Sequence, residues 1–299
     1  MKQIVECVPN FSEGRRADVI EQIAAAIERV EGVTVLDRAR DADHNRTVIT
    51  FVGPPATVGD AAFAAIAKAA ELIDMDQHQG EHPRMGAADV VPFVPIAGVS
   101  MDDCVAIARQ VGARVGEQLG IPVYLYEAAA TRLDRVNLGD IRPRSHQYEQ
   151  KKKDVEQDPR WAPDFGPAKV GKAGTTAIGA RAPLVAYNVY LTTNDVAIAE
   201  KIARAIRHSG GGLRFVKARG FLVEDKAQVS MNLTNYTKTP IHRVVEMIRR
   251  EATRYGVGVE SSELIGLIPQ QALIDAAVWY LQLDNFESSL VIENRLVEE

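Results

Sequence analysis

A chain of 299 residues exceeds what one hydrophobic core usually serves, so two domains or subdomains of about 150 residues each are expected. With 46% hydrophobic, 25% charged and 6% aromatic residues, the composition is that of an ordinary globular protein and excludes the disordered and fibrous classes. A formal net charge of −5 argues against a nucleic-acid footprint spread over the surface, and no uninterrupted apolar run approaches a membrane span.

In chain order, IVECV reads as a strand and RRADVIEQIAAAIERV as a helix, followed by the β-branched strands VTVLD and RTVITFVG. Residues 55–74 form an alanine-rich amphipathic helix, a polar loop spans 75–90, and VVPFVPI is a further strand. Ser100 with Asp103 predicts a capping box for the helix MDDCVAIARQVGARVGEQLG, which Gly120 closes before the strand IPVYLYEA. Residues 127–181, rich in charge, Pro and Gly, read as a short helix or two and then irregular chain. Regular order resumes with strand LVAYNVYL, helix NDVAIAEKIARAIRHS, strands LRFVKARGFLVE and AQVSMNLTNY, helix IHRVVEMIRREATRYG, strand VGVESSELIG and helix PQQALIDAAVWYLQL.

The order β-α-β-β-α-β therefore occurs once in each half, although the letters themselves do not repeat. The expected fold class is α/β (α+β): two subdomains of split-βαβ, ferredoxin-like type, at 1–180 and 181–299, with their sheets facing across a central crevice. Cys7 and Cys104 sit inside apolar runs and read as buried thiols in a reducing, cytoplasmic compartment, too few for a disulfide framework or a zinc site. The opening MKQIVECVPN has no charged segment leading into a long apolar run, so neither export nor a membrane is expected.

Three polar stretches carry the chemistry. The first is DADHNRTVITFVG, a knot of Asp41, Asp43, His44, Asn45 and Arg46 ahead of a strand, which a self-bonded turn would also explain. The second is MDQHQGEHPRMGAADV. His78 and His82 are four apart, but Gly80 and Pro83 oppose a regular helix there and no cluster elsewhere offers a third ligand, so no metal is expected. The third is WAPDFGPAKVGKAGTTAIGAR, a Gly-rich segment whose Lys169, Lys172 and Arg181 suit an anionic ligand held by backbone contacts, or else an interdomain linker. Lys151, Lys152 and Lys153 read as a solvated run unless a ligand with a polyanionic tail employs them. The glycines 210–212 follow a helix and precede a strand, the reverse of a dinucleotide loop, and read as a turn.

Taken together, VECVPNFSEG, NRTVITFVGPP, LIDMDQHQGEHPRMGAADVVPFVPI, PVYLYEAAA, WAPDFGP and GARAPLVAYNVYL resemble the glutamate formimidoyltransferase family. That family includes the formiminotransferase unit of animal formiminotransferase–cyclodeaminase and free-standing bacterial enzymes. The similarity runs from residue 1 to about 280, and the cyclodeaminase part is expected to be absent. The resemblance implies transfer of a formimidoyl group between tetrahydrofolate, as co-substrate, and L-glutamate in histidine breakdown. It also implies a homodimer and no metal, nucleic-acid or membrane partner.

By that resemblance His82 is the catalytic residue, and the folate-contacting segment is Pro163, Asp164, Phe165, Gly166, Pro167, Ala168, Lys169, Val170, Gly171 and Lys172. The reaction needs one amine to lose a proton and another to gain one, which suits an imidazole titrating near neutrality. Arg46 and Arg84 are the first candidates for the carboxylates of glutamate, and Asp41, Asp43 and Glu81 for orienting a cationic amidine. Two departures from animal members stand out. Ala39 replaces an Asp two residues after the position of Asp37, and GKAGTTAIGAR lacks a Ser-Trp pair. Formyl transfer from 5-formyltetrahydrofolate to glutamate, or folate binding without turnover, remain alternatives.

Overall fold

In the computed structural model, residues 3–80 and 83–297 are described, and the chain divides into two compact units, Met1–Ala182 and Pro183–Glu299. In the first unit, β1 (Ile4–Cys7) and β2 (Asn10–Phe11) lead to α1 (Ala17–Glu28), β3 (Thr34–Asp41) and β4 (Arg46–Gly53). Then follow α2 (Pro55–Leu72), β5 (Ala88–Ala97), α3 (Met101–Leu119), β6 (Val123–Glu127), the short helices α4 (Leu138–Ile141) and α5 (Tyr148–Asp154), and β7 (Thr176–Ala180). β1 and β2 act as one interrupted strand, because both pair antiparallel with β4 on one side and β5 on the other. With β3 on the outer side of β4, this is the predicted split-βαβ core, β3-β4-β1/β2-β5.

Side chains alternate across these strands, so Val5, Cys7, Ile49, Phe51, Val91 and Phe93 meet one layer of helices. The alanines of α2 (Ala61, Ala62, Ala65, Ala69) are fully buried and let that helix lie close to the sheet. Each large apolar side chain fully buried in this layer contributes roughly 1.5–3 kcal/mol. The capping box on α3 is present: Ser100 Oγ accepts from the Asp103 N–H at 3.1 Å, and the Asp103 carboxylate accepts from the Ser100 N–H at 2.9 Å. Gly120 ends α3 at φ +64°.

Two expectations need correction. The stretch 127–181 is not irregular throughout: Thr176–Ala180 forms β7, inserted parallel between β5 and β6. All five of its residues are buried, so no alternation marks TAIGA as a strand. The split-βαβ reading also implied helices on one face only of each sheet, but here Ile141 and Leu138 of α4 cover Val90, Tyr124, Tyr126 and Ala177 on the other.

The second unit runs β8 (Val185–Leu191), α6 (Val196–Ile206), β9 (Val216–Val223), β10 (Lys226–Leu233), α7 (Ile241–Arg254), β11 (Val259–Ile265), α8 (Gln270–Leu281) and α9 (Ile292–Val297). Its antiparallel sheet has the order β11-β8-β10-β9, again split-βαβ. Ala199, Ile202 and Ile206 of α6 and Val244, Val245 and Ile248 of α7 close its core. Gly211, at φ +87°, makes the turn after α6 as expected. Trp279 of α8 stacks on His242 of α7, ring centroids 5.0 Å apart.

One close approach tests how the first unit holds residues 163–172. A Cβ on Gly116, in α3, would lie 2.4 Å from the backbone nitrogen of Gly166. Although alanine is the better helix former, Gly116→Ala is expected to destabilise by about 1–3 kcal/mol. That corresponds to a midpoint lowered by roughly 2–4 °C per kcal/mol in a thermal melt. A raised midpoint would show that residues 165–166 do not rest on α3.

Candidate active site

The turn between β3 and β4 is built on Asn45, which adopts φ +48°, a conformation Asn tolerates better than most residues. Its Oδ1 accepts from the Gly14 N–H at 2.8 Å, its Nδ2 donates to the Gln79 carbonyl at 2.9 Å, and its own carbonyl meets His78 Nε2 at 3.0 Å. One side chain thereby ties the start of the chain, the turn and the 75–86 loop together. Asp41 accepts from the His44 backbone at 2.9 Å and pairs with His44 Nδ1 at 2.7 Å. This is the self-bonded turn foreseen for DADHNR. Asp43 is exposed within it.

His78 is fixed as one neutral tautomer. Its Nε2–H donates to the Asn45 carbonyl, while its Nδ1 accepts from Arg84 Nε at 3.0 Å. Burial, aided by the Arg84 charge and opposed by the Asn45 bond, holds its pKa below the ordinary histidine value. Arg84 also donates through Nη2 to the His78 carbonyl at 2.9 Å and grips Glu149 with Nη2 and Nη1 at 2.6 and 3.1 Å. The loop is thus anchored on both sides of Glu81 and His82, which themselves lie outside the described residues.

Both ends of that loop are also stitched to residues 171–175. The Met75 N–H donates to the Lys172 carbonyl at 2.8 Å, the Ala87 N–H to the Ala173 carbonyl at 2.8 Å, and the Thr175 N–H to the Met85 carbonyl at 2.8 Å. Tyr148 adds its hydroxyl, which donates to Asp76 at 2.7 Å and lies 3.4 Å from the Gly171 carbonyl. Two of the three sequence stretches therefore meet the third, through Asn45, in one place.

Within Pro163–Lys172 the two halves face different tasks. The Asp164 carboxylate is buried, taking the Leu125 N–H at 2.8 Å, Arg135 and Thr131. Phe165 packs on Gly112 of α3 and Gly166 turns at φ +82°. This half is anchorage. Pro167, Ala168, Lys169, Gly171 and Lys172 are exposed while Val170 is buried, and the two lysines have no ion-pair partner among the described residues. Backbone and cationic side chains are offered outward there, which fits an elongated anionic ligand.

Sequence reasoning missed Asp89 and Arg142. Asp89, 1% exposed at the start of β5, accepts from the Met85 N–H at 2.8 Å, from Arg46 at 3.2 Å and from Arg142. Arg46 also donates to Asn10 Oδ1 at 2.5 Å through Nη2. Burial lowers its pKa to about 10, with Asp89 opposing the fall, so it stays protonated at neutral pH. The signal available in GAADVVPF was a lone carboxylate at the mouth of an apolar strand.

The lysine run is not one solvated set. On α5, consecutive residues point about 100° apart. Lys152 therefore pairs with Asp76 at 2.6 Å, while Lys151 is fully buried, its Nζ 4.1 and 4.5 Å from the ring centroids of Trp161 and Tyr124. Among the described residues Lys151 Nζ has no hydrogen-bond partner, and burial, with Arg135 beside it, pushes its pKa down to about 7. It is no ligand for a folate tail. Among the described residues no group of three or more His, Cys, Asp or Glu side chains is arranged to hold a metal, and no helix is long and apolar enough to cross a membrane.

Each of the two units matches a family model. The formiminotransferase domain, N-terminal subdomain, matches residues 4–181, and the formiminotransferase domain matches residues 186–298. The chain is 55% identical to a glutamate formimidoyltransferase of Thermoplasma acidophilum over 98% of this chain and 97% of that one. It is 50% identical to a glutamate formimidoyltransferase of Streptococcus pyogenes serotype M1 over 99% and 100%. A formimidoyltransferase-cyclodeaminase of Gallus gallus is 45% identical over 94% of this chain, which spans 53% of that longer protein.

Lys151 makes a prediction about stability. Unfolded, the amine titrates near its ordinary 10.5; folded, near 7. The folded state binds fewer protons in that window, so the penalty is complete below about pH 7, shrinks as pH rises, and vanishes above about pH 10.5. Lys151→Met, in urea unfolding, is expected to gain about 1–3 kcal/mol at neutral pH and progressively less toward pH 10. A loss at neutral pH, or a gain independent of pH, would contradict it.

Proposed function

The chain belongs to the formiminotransferase family, and on that premise we propose that it transfers a formimidoyl group between N-formimidoyl-L-glutamate and tetrahydrofolate in histidine degradation. The observation that carries this reading is identity over nearly the full length of both chains to two glutamate formimidoyltransferases. Tetrahydrofolate is then a co-substrate, and by resemblance the assembly is a homodimer in the cytoplasm.

The chemistry assigns work to the loop. N5 of tetrahydrofolate attacks the amidine carbon, a tetrahedral species forms, and the C–N bond to glutamate breaks. The attacking nitrogen loses a proton and the departing nitrogen of glutamate gains one, so a single group that accepts and then returns it serves both steps. We assign this to His82. In support, the loop segments before and after it are anchored by Asn45, His78 and Arg84, as a positioned base requires. His78 has both ring nitrogens engaged and serves to position the loop. The exposed half of Pro163–Lys172, with Lys169 and Lys172, is assigned to the folate. Asp43, exposed within the turn between β3 and β4, is assigned to orienting the amidine.

Tetrahydrofolate with N-formimidoyl-L-glutamate should yield 5-formimidoyltetrahydrofolate, followed by mass spectrometry. His82→Ala should lower turnover by about 10²–10⁴-fold while the protein still binds tetrahydrofolate. A parallel reaction of 5-formyltetrahydrofolate with glutamate separates the formyl reading. Consumption of the formyl donor alone would move the function there, and folate binding with silence on both donors would leave a binding protein.

A further inference from the structure

We infer that Arg142, held with Arg46 on the buried Asp89, binds a carboxylate of the amino-acid substrate, an inference that rests on the transferase reading above. Arg142 follows α4; its N–H still donates to the Leu138 carbonyl at 3.0 Å, but Pro143 ends the helix and the backbone turns to φ −126°, ψ 61°. The side chain is 12% exposed. One terminal nitrogen, Nη1, does all its bonding within the protein: to Asp89 Oδ2 and, at 2.9 Å, to the Pro83 carbonyl.

The Nε and Nη2 groups of Arg142 have no acceptor among the described residues. They form one side of the guanidinium fork, the edge that takes both oxygens of a carboxylate through parallel N–H bonds. The carboxylate that Arg142 already has is Asp89, whose Oδ2 it shares with Arg46. Asp89 thus serves two largely buried guanidiniums at once, and the edge of Arg142 that it does not use is left for a ligand carboxylate. Arg84 presents the opposite case. Nε, Nη1 and Nη2 are all engaged by His78 and Glu149, so Arg84, one of the two arginines that the sequence pointed to, holds the loop.

The Pro83 contact gives the anchor its place. Pro83 follows His82 in the chain, so a carboxylate gripped by Arg142 is tied to the strand of backbone carrying the proposed base. Asp89 acts from below as a positioning residue, because it orients both guanidiniums and fixes the Met85 N–H three residues past position 82. The ligand chemistry is an amino-acid dicarboxylate, with one carboxylate on Arg142.

The test is steady-state kinetics of wild type and Arg142→Ala with N-formimidoyl-L-glutamate and with its α-amide and γ-amide counterparts. The KM for the diacid should rise about 10- to 100-fold in the variant, with the KM for tetrahydrofolate within about twofold. In wild type one of the two amides should be penalised by a similar factor. That penalty should collapse in the variant, which a merely structural role would not produce. If Arg142→Ala does not fold, Arg142→Lys gives the same readout, since it keeps the charge but not the two-pronged edge. An unchanged KM, or an amide penalty that persists undiminished, overturns the inference while turnover by the wild type leaves the transferase reading standing. A wild type silent on the formimidoyl donor removes that reading instead; the carboxylate anchor then stands or falls on whether Arg142→Ala or Arg142→Lys weakens L-glutamate binding by calorimetry.

Discussion

Much of the first unit depends on a seam where two backbones touch with no side chain between them. Gly86 and Gly174 form an isolated bridge, and Gly174 sits at φ +75°. A Cβ on Gly86 would fall 2.1 Å from the Thr175 carbonyl oxygen, and one on Gly174 2.4 Å from that of Met85. Only glycine permits such an approach, and the hydrogen bonds beside it join the end of the 75–86 loop to the residues that enter β7. Because β7 then inserts parallel between β5 and β6, the loop is registered against a strand paired on both sides.

From that seam outward, polar order is set by buried carboxylates that each collect several donors. Asp89 gathers Arg46, Arg142 and the Met85 N–H; Asp164 gathers Arg135, Thr131 and the Leu125 N–H; Glu13 takes the Arg15 and Arg16 N–H groups at 2.8 and 2.9 Å. For Glu13, burial favours the neutral acid, but the two backbone bonds and the Arg16 guanidinium outweigh it and hold the pKa below the usual range. A carboxylate satisfied from several directions is a stiff support, since moving any one donor exposes an unpaired charge. Lys151 departs from this rule, with aromatic faces and, among the described residues, no hydrogen-bond acceptor for its amine. Its cost is tolerated by a unit whose core is otherwise continuous apolar packing.

The two halves show the same β-α-β-β-α-β order with unrelated letters. Periodicity explains how both are possible: a strand requires alternation and a helix a 3.6-residue stripe, and many sequences satisfy each. The second unit keeps the bare four-stranded form, whereas the first adds α3, β6 and β7 and covers part of its other face with α4. It is this added material, together with α5, that contributes Arg142, Glu149 and Tyr148 to the loop.

The sequence by itself determined the β-α-β-β-α-β order of each half, the capping box at Ser100, the turn built by Asp41 to Arg46, and the phrases that mark the family. All of these depend on residues within a few positions of one another, where backbone preference and side-chain spacing act directly. Only tertiary structure decided which arginine is engaged and which is open, that Lys151 turns inward beside an exposed Lys153, and that TAIGA is a central strand. Arg84 and Glu149 are 65 residues apart, and Arg142 and Asp89 53. A charge on a long side chain finds its partner by where the chain returns in space, and local pattern carries no record of that return.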